Sequence, residues 1–131
     1  MSRRIDDLDP RFRATALELL GRLMERKCYV VVVDTLRTAE EQAEYVKKKV
    51  SMVARSKHQD GLAMDVVPVS QYLAQPGGPM MKVTWSSTAP EWQVIGEEAE
   101  KLGLRWGGRW KVPHDPGHVE WVDAHAPAQR A

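Results

Sequence analysis

The sequence has little cysteine and no long apolar run. Cys28 is the only cysteine among 131 residues, which excludes an intrachain disulfide framework and leaves the fold compatible with a reducing compartment. No apolar stretch approaches the roughly 18 residues that a membrane span needs. The N-terminal segment 1–7 leads into acidic residues instead of an apolar signal segment. We therefore expect a chain without a membrane span, made in the cytoplasm without a signal peptide.

The chain also lacks an excess of charge of either sign. Its 19 Lys and Arg residues against 18 Asp and Glu residues give a formal net charge of +1. Nucleic-acid binders usually need a cationic face, so this balance predicts no nucleic-acid partner. Hydrophobic residues make up 43% of the sequence, enough for one compact core. The length predicts a single domain over residues 1–131, with a frayed tail from about residue 123.

Periodic and β-branched segments predict an α+β fold. Apolar residues at helical spacing predict three helices, over 11–27, from 38 to about 48, and over 90–102. Thr38 and Glu41 form a capping box at the start of the second helix. Short strands are predicted at 28–33, 62–69 (with Pro68 near its end), 104–106 and 118–121, and 70–89 is predicted to be a long loop. Elements in this mixed order favour about three helices packed on a small, mostly antiparallel sheet.

An acidic residue in an apolar strand is the first candidate for a functional site. Asp65 lies seven residues after His58, and its strand neighbours on the same face are apolar. An unpaired carboxylate there would cost several kcal/mol, so a cation partner is expected. One interpretation is a buried salt bridge to Arg37 or Arg55. The other is a metal bound by Asp65 and His58, with Gly61 allowing the tight turn between them.

A second cluster follows near residue 115. Asp115-Pro116-Gly117-His118 fits a type II turn, in which the first and fourth Cα atoms lie within about 7 Å. His118 and Glu120 then share one face of a strand. With His118 as a third ligand, a zinc ion would keep a fourth position open, as in catalytic sites, and Asp115 would stand beside it as general base. The alternative is an ordinary turn with an incidental histidine.

The motifs together resemble a known family. They are Ser56-x-His58-x-x-Gly61-x-Ala63-x-Asp65, Trp106-Gly107-Gly108-x-Trp110 and Asp115-x-x-His118-x-Glu120, with Arg37 in the segment 35–42. This combination is similar to the M15-type zinc D,D/L,D-peptidases, and most similar to the phage endolysins that act as L-alanyl-D-glutamate peptidases. The resemblance covers about residues 31–121 and implies the hedgehog/D,D-peptidase-like zinc peptidase fold.

The resemblance implies a role for each motif residue. One Zn²⁺ per chain would be held by three ligands, namely His58, Asp65 and His118. Asp115 would be the catalytic carboxylate, and Arg37 would steady the substrate carbonyl oxygen or the developing oxyanion. Ser56 would line the substrate cleft, and Glu120 would support a ligand from outside the coordination sphere.

The resemblance also implies a function. We expect a monomeric zinc metallopeptidase that hydrolyses the stem peptide of bacterial peptidoglycan, at the L-alanyl-D-glutamate bond, in host cell lysis. Such an enzyme would be made in the host cytoplasm and would act on the cell wall after release. The alternatives are a D-alanyl-D-alanine carboxypeptidase and a non-catalytic zinc-bearing binding module of the same fold.

Overall fold

A computed structural model of the chain describes residues 1–48, 55–111 and 113–123. The predicted tail lies outside these residues except for Asp123. Helix α1 spans Pro10–Glu25, and the Asp9 side chain accepts a hydrogen bond from the Arg11 backbone N–H at 2.8 Å. Proline is suited to the first helical position because its missing N–H would have no helical partner there. The helix buries its apolar stripe of Phe12, Ala16, Leu19 and Leu23.

The other two helices also follow the sequence prediction. Helix α2 spans Ala39–Lys47 and opens with the predicted capping box. Thr38 Oγ1 accepts from the Glu41 backbone N–H at 3.1 Å, and Glu41 Oε1 accepts from the Thr38 N–H at 3.0 Å. Helix α3 spans Glu91–Lys101 and ends before Gly103, which has a φ of 77°. Helices α1 and α3 share one apolar core with the sheet.

Within the described residues the sheet has five strands, and each of their pairings is antiparallel. The strands are β1 (Val30–Asp34), β2 (Ala63–Leu73), β3 (Met80–Val83), β4 (Arg105–Trp106) and β5 (His118–Glu120). Their order is β1-β2-β5-β4, and β3 pairs with the far half of β2. The α+β prediction is therefore confirmed. No helix in the described part of the chain is both long and apolar enough to cross a membrane.

Two details of the sheet prediction are wrong. Strand β2 does not end near Pro68 but continues to Leu73, and the segment predicted as a loop contains β3. Pro68 is tolerated because β2 changes partner there: Pro68 pairs with Val30 of β1, whereas Val69 pairs with Val83 of β3. The turn residues 76–79 join β3 to the exposed far half of β2, and neither segment has the buried alternation that marks a strand in the sequence.

Candidate metal centre

A short capped helix holds His58 in place. Ser56 Oγ accepts from the His58 backbone N–H at 3.2 Å at the start of a 3-10 helix over Lys57–Asp60. Gly61 ends this helix at a φ of 70°, and a Cβ there would lie 2.8 Å from the Asp9 backbone nitrogen. The His58 ring is buried, and its Nδ1 lies 2.8 Å from the Thr35 carbonyl oxygen. Because a carbonyl only accepts, Nδ1 carries a hydrogen, and Nε2 is the ring nitrogen left to bind a metal.

Sheet register brings Asp65 and His118 side by side. Asp65 of β2 pairs with His118 of β5, and its Oδ1 lies 2.9 Å from His118 Nδ1. Its other oxygen, Oδ2, lies 3.2 Å from His58 Nε2. Nε2 nevertheless makes no hydrogen bond within the described part of the chain. Two acceptor atoms held this close favour a shared cation between them.

Glu120 orients His118 from the opposite side. Glu120 Oε1 lies 2.8 Å from His118 Nε2, and both side chains are buried. Its Oε2 is 3.3 Å from Arg105 Nη1 and 3.5 Å from Lys57 Nζ. A carboxylate that accepts from Nε2–H fixes the tautomer in which Nδ1 is the ligand atom. The predicted shared face of His118 and Glu120 is confirmed.

The charges of the cluster are strongly coupled. Burial acts to raise the pKa of Asp65, but the hydrogen bond from His118 and the neighbouring His58 outweigh it and hold the pKa well below its usual range. Burial acts to lower the pKa of His118, but its bonds to Asp65 and Glu120 raise that pKa to about 10. Without a metal, His118 therefore carries a proton between two carboxylates. The carboxylates around His118 therefore stabilise a positive charge in this cluster.

The three donors fit a metal ion. Ligand atoms of His58, Asp65 and His118 all lie within 4.8 Å of one another. Two imidazole nitrogens and one carboxylate oxygen form a donor set that suits Zn²⁺ and leaves room for a fourth, exchangeable ligand. The buried Nε2 of His58, which makes no hydrogen bond within the described residues, agrees with a role as a metal ligand. His114, four residues before His118, is not part of the donor group found in the described residues.

The turn at Asp115 forms, but not as a type II turn. The His118 N–H donates to the Asp115 carbonyl at 3.1 Å, and Asp115 Oδ2 lies 3.9 Å from His118 Nδ1. Gly117 does not have the positive φ that a type II turn requires, so that prediction is wrong. Glycine is needed there for space, because a Cβ would lie 2.3 Å from the Val66 carbonyl oxygen. Burial, and then the negative charge of Asp65, raise the pKa of Asp115.

A tryptophan clamp supports this turn, and it was not predicted. The Trp106 indole lies between Gly96 and Gly108, where a Cβ would approach it to 2.4 and 2.1 Å, and its Nε1 donates to the Pro116 carbonyl at 2.7 Å. At Gly107, a Cβ would lie 2.3 Å from the Asp115 carbonyl oxygen. The Trp-Gly-Gly motif is visible in the sequence, but the groups that pack against it come from α3 and from the turn at Asp115.

Arg37 is buried beside the cluster. Its Nη1 donates to Gln42 Oε1 at 2.5 Å, its Nη2 pairs with Asp34, and its guanidinium lies 4.4 Å from the centre of the Tyr45 ring. Nη2 also lies 3.9 Å from Asp65 Oδ2. Sequence reasoning missed Asp34 and Tyr45. The signal for Asp34 was its place at the end of the β-branched strand β1, three residues before Arg37.

Of the two arginines considered as partners for Asp65, only Arg37 lies near it. Arg55 pairs with Asp60 instead. Asp65 therefore contacts Arg37, as the first interpretation expects, and it also belongs to a donor group that could hold a metal ion.

A cleft of about 240 Å³ opens beside the cluster. Its polar lining includes Asp65, Asp115 and His114, and its apolar lining includes Trp85 and Trp92. Ser56, predicted to line the substrate cleft, is buried and is not among the described residues that line it. Its contact with the His58 backbone is a positioning one.

The chain is thus an α+β protein in which two histidines and one aspartate form a candidate metal site at the edge of a cleft. The chain belongs to the M15 peptidase family: the family model described as D-alanyl-D-alanine carboxypeptidase matches residues 49–121, more than half of the sequence. The family resemblance drawn from the motifs is confirmed.

Individual relatives agree with this assignment. The chain is 27% identical over 118 residues to the L-alanyl-D-glutamate peptidase of Listeria phage A118, covering 89% of this chain but only 39% of that protein. Among solved structures it is similar to the Serratia marcescens L-Ala D-Glu endopeptidase ChiX, with a TM-score of 0.65, 25% identity, and coverage of 93% of this chain and 87% of that one. It also shares its fold with the zinc-bound D,D-pentapeptidase VanY of a VanB-type resistance cassette, with a TM-score of 0.57, 20% identity, and coverage of 88% and 72%.

Proposed function

We propose that the chain is a zinc peptidase that hydrolyses the stem peptide of bacterial peptidoglycan at the L-alanyl-D-glutamate bond. The observation that carries the proposal is the convergence of His58, Asp65 and His118 within 4.8 Å, next to a cleft that also holds Asp115. Support for this bond comes from the phage A118 peptidase and ChiX, which are named for it. We further propose that the chain acts as a monomer with one zinc, in host cell lysis, reaching the wall after release from the cytoplasm.

His58 Nε2, Asp65 and His118 Nδ1 would hold the metal. When bound, zinc supplies a Lewis acid that polarises a carbonyl and lowers the pKa of water. The protein's own contribution is to fix the donors. Thr35 and Glu120 each engage the other ring nitrogen of a ligating histidine, so neither ring can turn away.

In this proposal Asp115 moves the proton. In amide hydrolysis, water adds to the carbonyl carbon, the C–N bond breaks, and the leaving nitrogen gains a proton. Asp115 lies in the cleft lining, and its raised pKa makes it a better base than a free aspartate. The same carboxyl group then holds the proton that the leaving nitrogen needs.

Arg37 supplies a fixed positive charge next to Asp65. Its contacts with Asp34, Gln42 and Tyr45 hold the guanidinium in one orientation. A cation held in advance stabilises negative charge developing on a carbonyl oxygen without reorganising during the reaction. In this proposal Ser56 serves the site by capping the helix that carries His58.

A second candidate is removal of a terminal D-alanine. It is favoured by the description of the matching family model, D-alanyl-D-alanine carboxypeptidase. The same donors, base and cation would serve this reaction, so only the product separates the two. A binding module without turnover would need neither Asp115 nor Arg37 near the metal.

The deciding experiment is a digest of purified peptidoglycan by the zinc-loaded chain, followed by mass spectrometry. We expect stem peptides with a new N-terminus at D-glutamate. Free D-alanine as the sole product would establish the carboxypeptidase instead. Walls that stay intact with zinc present would refute both activities.

The role of Asp115 is tested by Asp115→Asn. We expect cleavage to fall at least about a hundredfold, the usual lower range for loss of a general base, while bound zinc stays at the wild-type level. Asp123→Asn is the matched control, since Asp123 is an exposed carboxylate paired with Arg11. Activity retained in Asp115→Asn, or lost equally in the control, would contradict the assignment.

A further inference from the structure

Trp85 is an exposed indole in the lining of the cleft. Its relative exposure is 66%, the highest among the large apolar side chains in the described residues. The same cleft holds Asp65 and Asp115. Single exposed apolar side chains are common on protein surfaces, so what distinguishes Trp85 is its place in the lining of this cleft.

The backbone around Trp85 is anchored on both sides. The Thr84 N–H donates to the Pro68 carbonyl at 3.0 Å, which ties the segment to β2. The Ser86 carbonyl accepts from the Trp92 indole N–H at 2.7 Å, and Trp92 is itself buried at the start of α3. These contacts fix the backbone of Trp85 to β2 and α3. The exposed indole therefore has a defined position relative to the cleft.

The lining divides into two chemical parts. Asp65 and Asp115 carry the charge, whereas Val33, Trp85 and Trp92 are apolar. Charged groups suit the reacting bond. An indole face suits the apolar parts of a peptide chain, where it excludes water and orients the ligand without entering the chemistry.

We propose that Trp85 is a substrate-contact residue that determines affinity for the stem peptide. This inference rests on the proposed function for its substrate. The indole packs against the peptide chain beside the bond to be cut, so it contributes to binding in the ground state and the transition state alike. Loss of such uniform binding raises KM and leaves kcat unchanged.

Tyr72 provides a matched control. It is an aromatic residue of nearly equal exposure, 60%, and lies on β2 in the same hairpin that leads to Trp85. It is not among the described residues that line the cleft. A general effect of removing an exposed aromatic side chain would therefore appear in both variants, and a substrate contact only in one.

The test uses the zinc-loaded full chain and soluble stem-peptide fragments prepared from purified walls. For Trp85→Ala we expect KM to rise about tenfold, which corresponds to about 1.4 kcal/mol, with kcat within about twofold of wild type. Trp85→Phe should restore KM to within about threefold, and Tyr72→Ala should match wild type. Zinc content and unfolding temperature are measured for every variant.

Several results would overturn the proposal. These are an unchanged KM in Trp85→Ala, an equal rise in Tyr72→Ala, or a loss confined to kcat. If the wild type does not cleave the fragments, the proposed function fails, and fragment Kd values from calorimetry decide the role of Trp85 separately. No fragment binding by the wild type, or equal binding by Trp85→Ala, would then refute it.

Discussion

Removing the charge of Glu120 should weaken zinc binding without touching a ligand. Glu120 Oε1 lies 2.8 Å from His118 Nε2 and is buried with it. A hydrogen bond to a charged group contributes about 1.5–3 kcal/mol and a neutral one about 0.5–1.5 kcal/mol. Glu120→Gln keeps an acceptor beside His118 but removes its charge. We therefore expect the lower end of the ten- to hundredfold range for partners of metal ligands, a rise of about tenfold in the zinc Kd.

Glu120→Ala removes the acceptor altogether. His118 then loses its fixed tautomer, and the Kd should rise further, towards the hundredfold upper range for partners of metal ligands. Zinc affinity is measured by competition with a chromophoric chelator at fixed pH. We expect the zinc Kd to increase in the order wild type, Glu120→Gln, Glu120→Ala.

Glu98→Gln is the control for loss of a buried carboxylate. Glu98 is as buried as Glu120 and pairs with Arg22, Arg26 and Lys101, but it has no contact with the metal-type cluster. Its zinc Kd should equal that of the wild type. A Glu120→Ala protein that binds zinc within twofold of wild type would refute the reasoning, as would a matching loss in Glu98→Gln.

Two further predictions concern packing and protonation. Gly107→Ala places a Cβ 2.3 Å from the Asp115 carbonyl oxygen, so the free energy of unfolding in urea should fall by about 1–3 kcal/mol. Gly21→Ala is the control: it lies in open space on α1, and its free energy of unfolding should rise by up to about 1 kcal/mol. Equal effects in the two variants would contradict the close approach at Gly107. Burial raises the pKa of Cys28 from 9.0 to about 11, so the neutral thiol favours the folded state below pH 9 and this contribution is lost as pH rises towards 11. Unfolding free energies measured from pH 8 to 11 should fall more steeply for the wild type than for Cys28→Ala, and parallel curves would disprove the shift.

Local chemistry is the part of the structure that the sequence predicted well. The capping box at Thr38 involves residues three positions apart, so its partners can be read directly from the chain. The proximity of Asp115 and His118 follows from turn geometry in the same way. The faces of β2 and β5 follow from strand alternation, which is why Asp65 and Glu120 could be singled out.

Contacts set by tertiary packing could not be predicted in this way. The Trp106 clamp needs Gly96 from α3 on one side and Gly108 on the other, and nothing local to Trp106 indicates that partner. The approach of the Asp34–Arg37 pair to Asp65 depends on the register of β1 with β2, including an irregularity after Val32. The hairpin containing β3 was missed because β3 and the far half of β2 are exposed, so no buried face marks them in the sequence.

The donors of the cluster come from distant parts of the chain, since Asp65 and His118 are 53 residues apart. A metal held by them would act as a reversible cross-link that closes a long loop and ties the central strand to the strand beside it. A ligand that binds only the folded state adds about 4 kcal/mol of stability at a thousand times its Kd. The stability of this sheet would then depend on the concentration of free zinc around the protein, so the composition of the medium would help to set the free energy of unfolding.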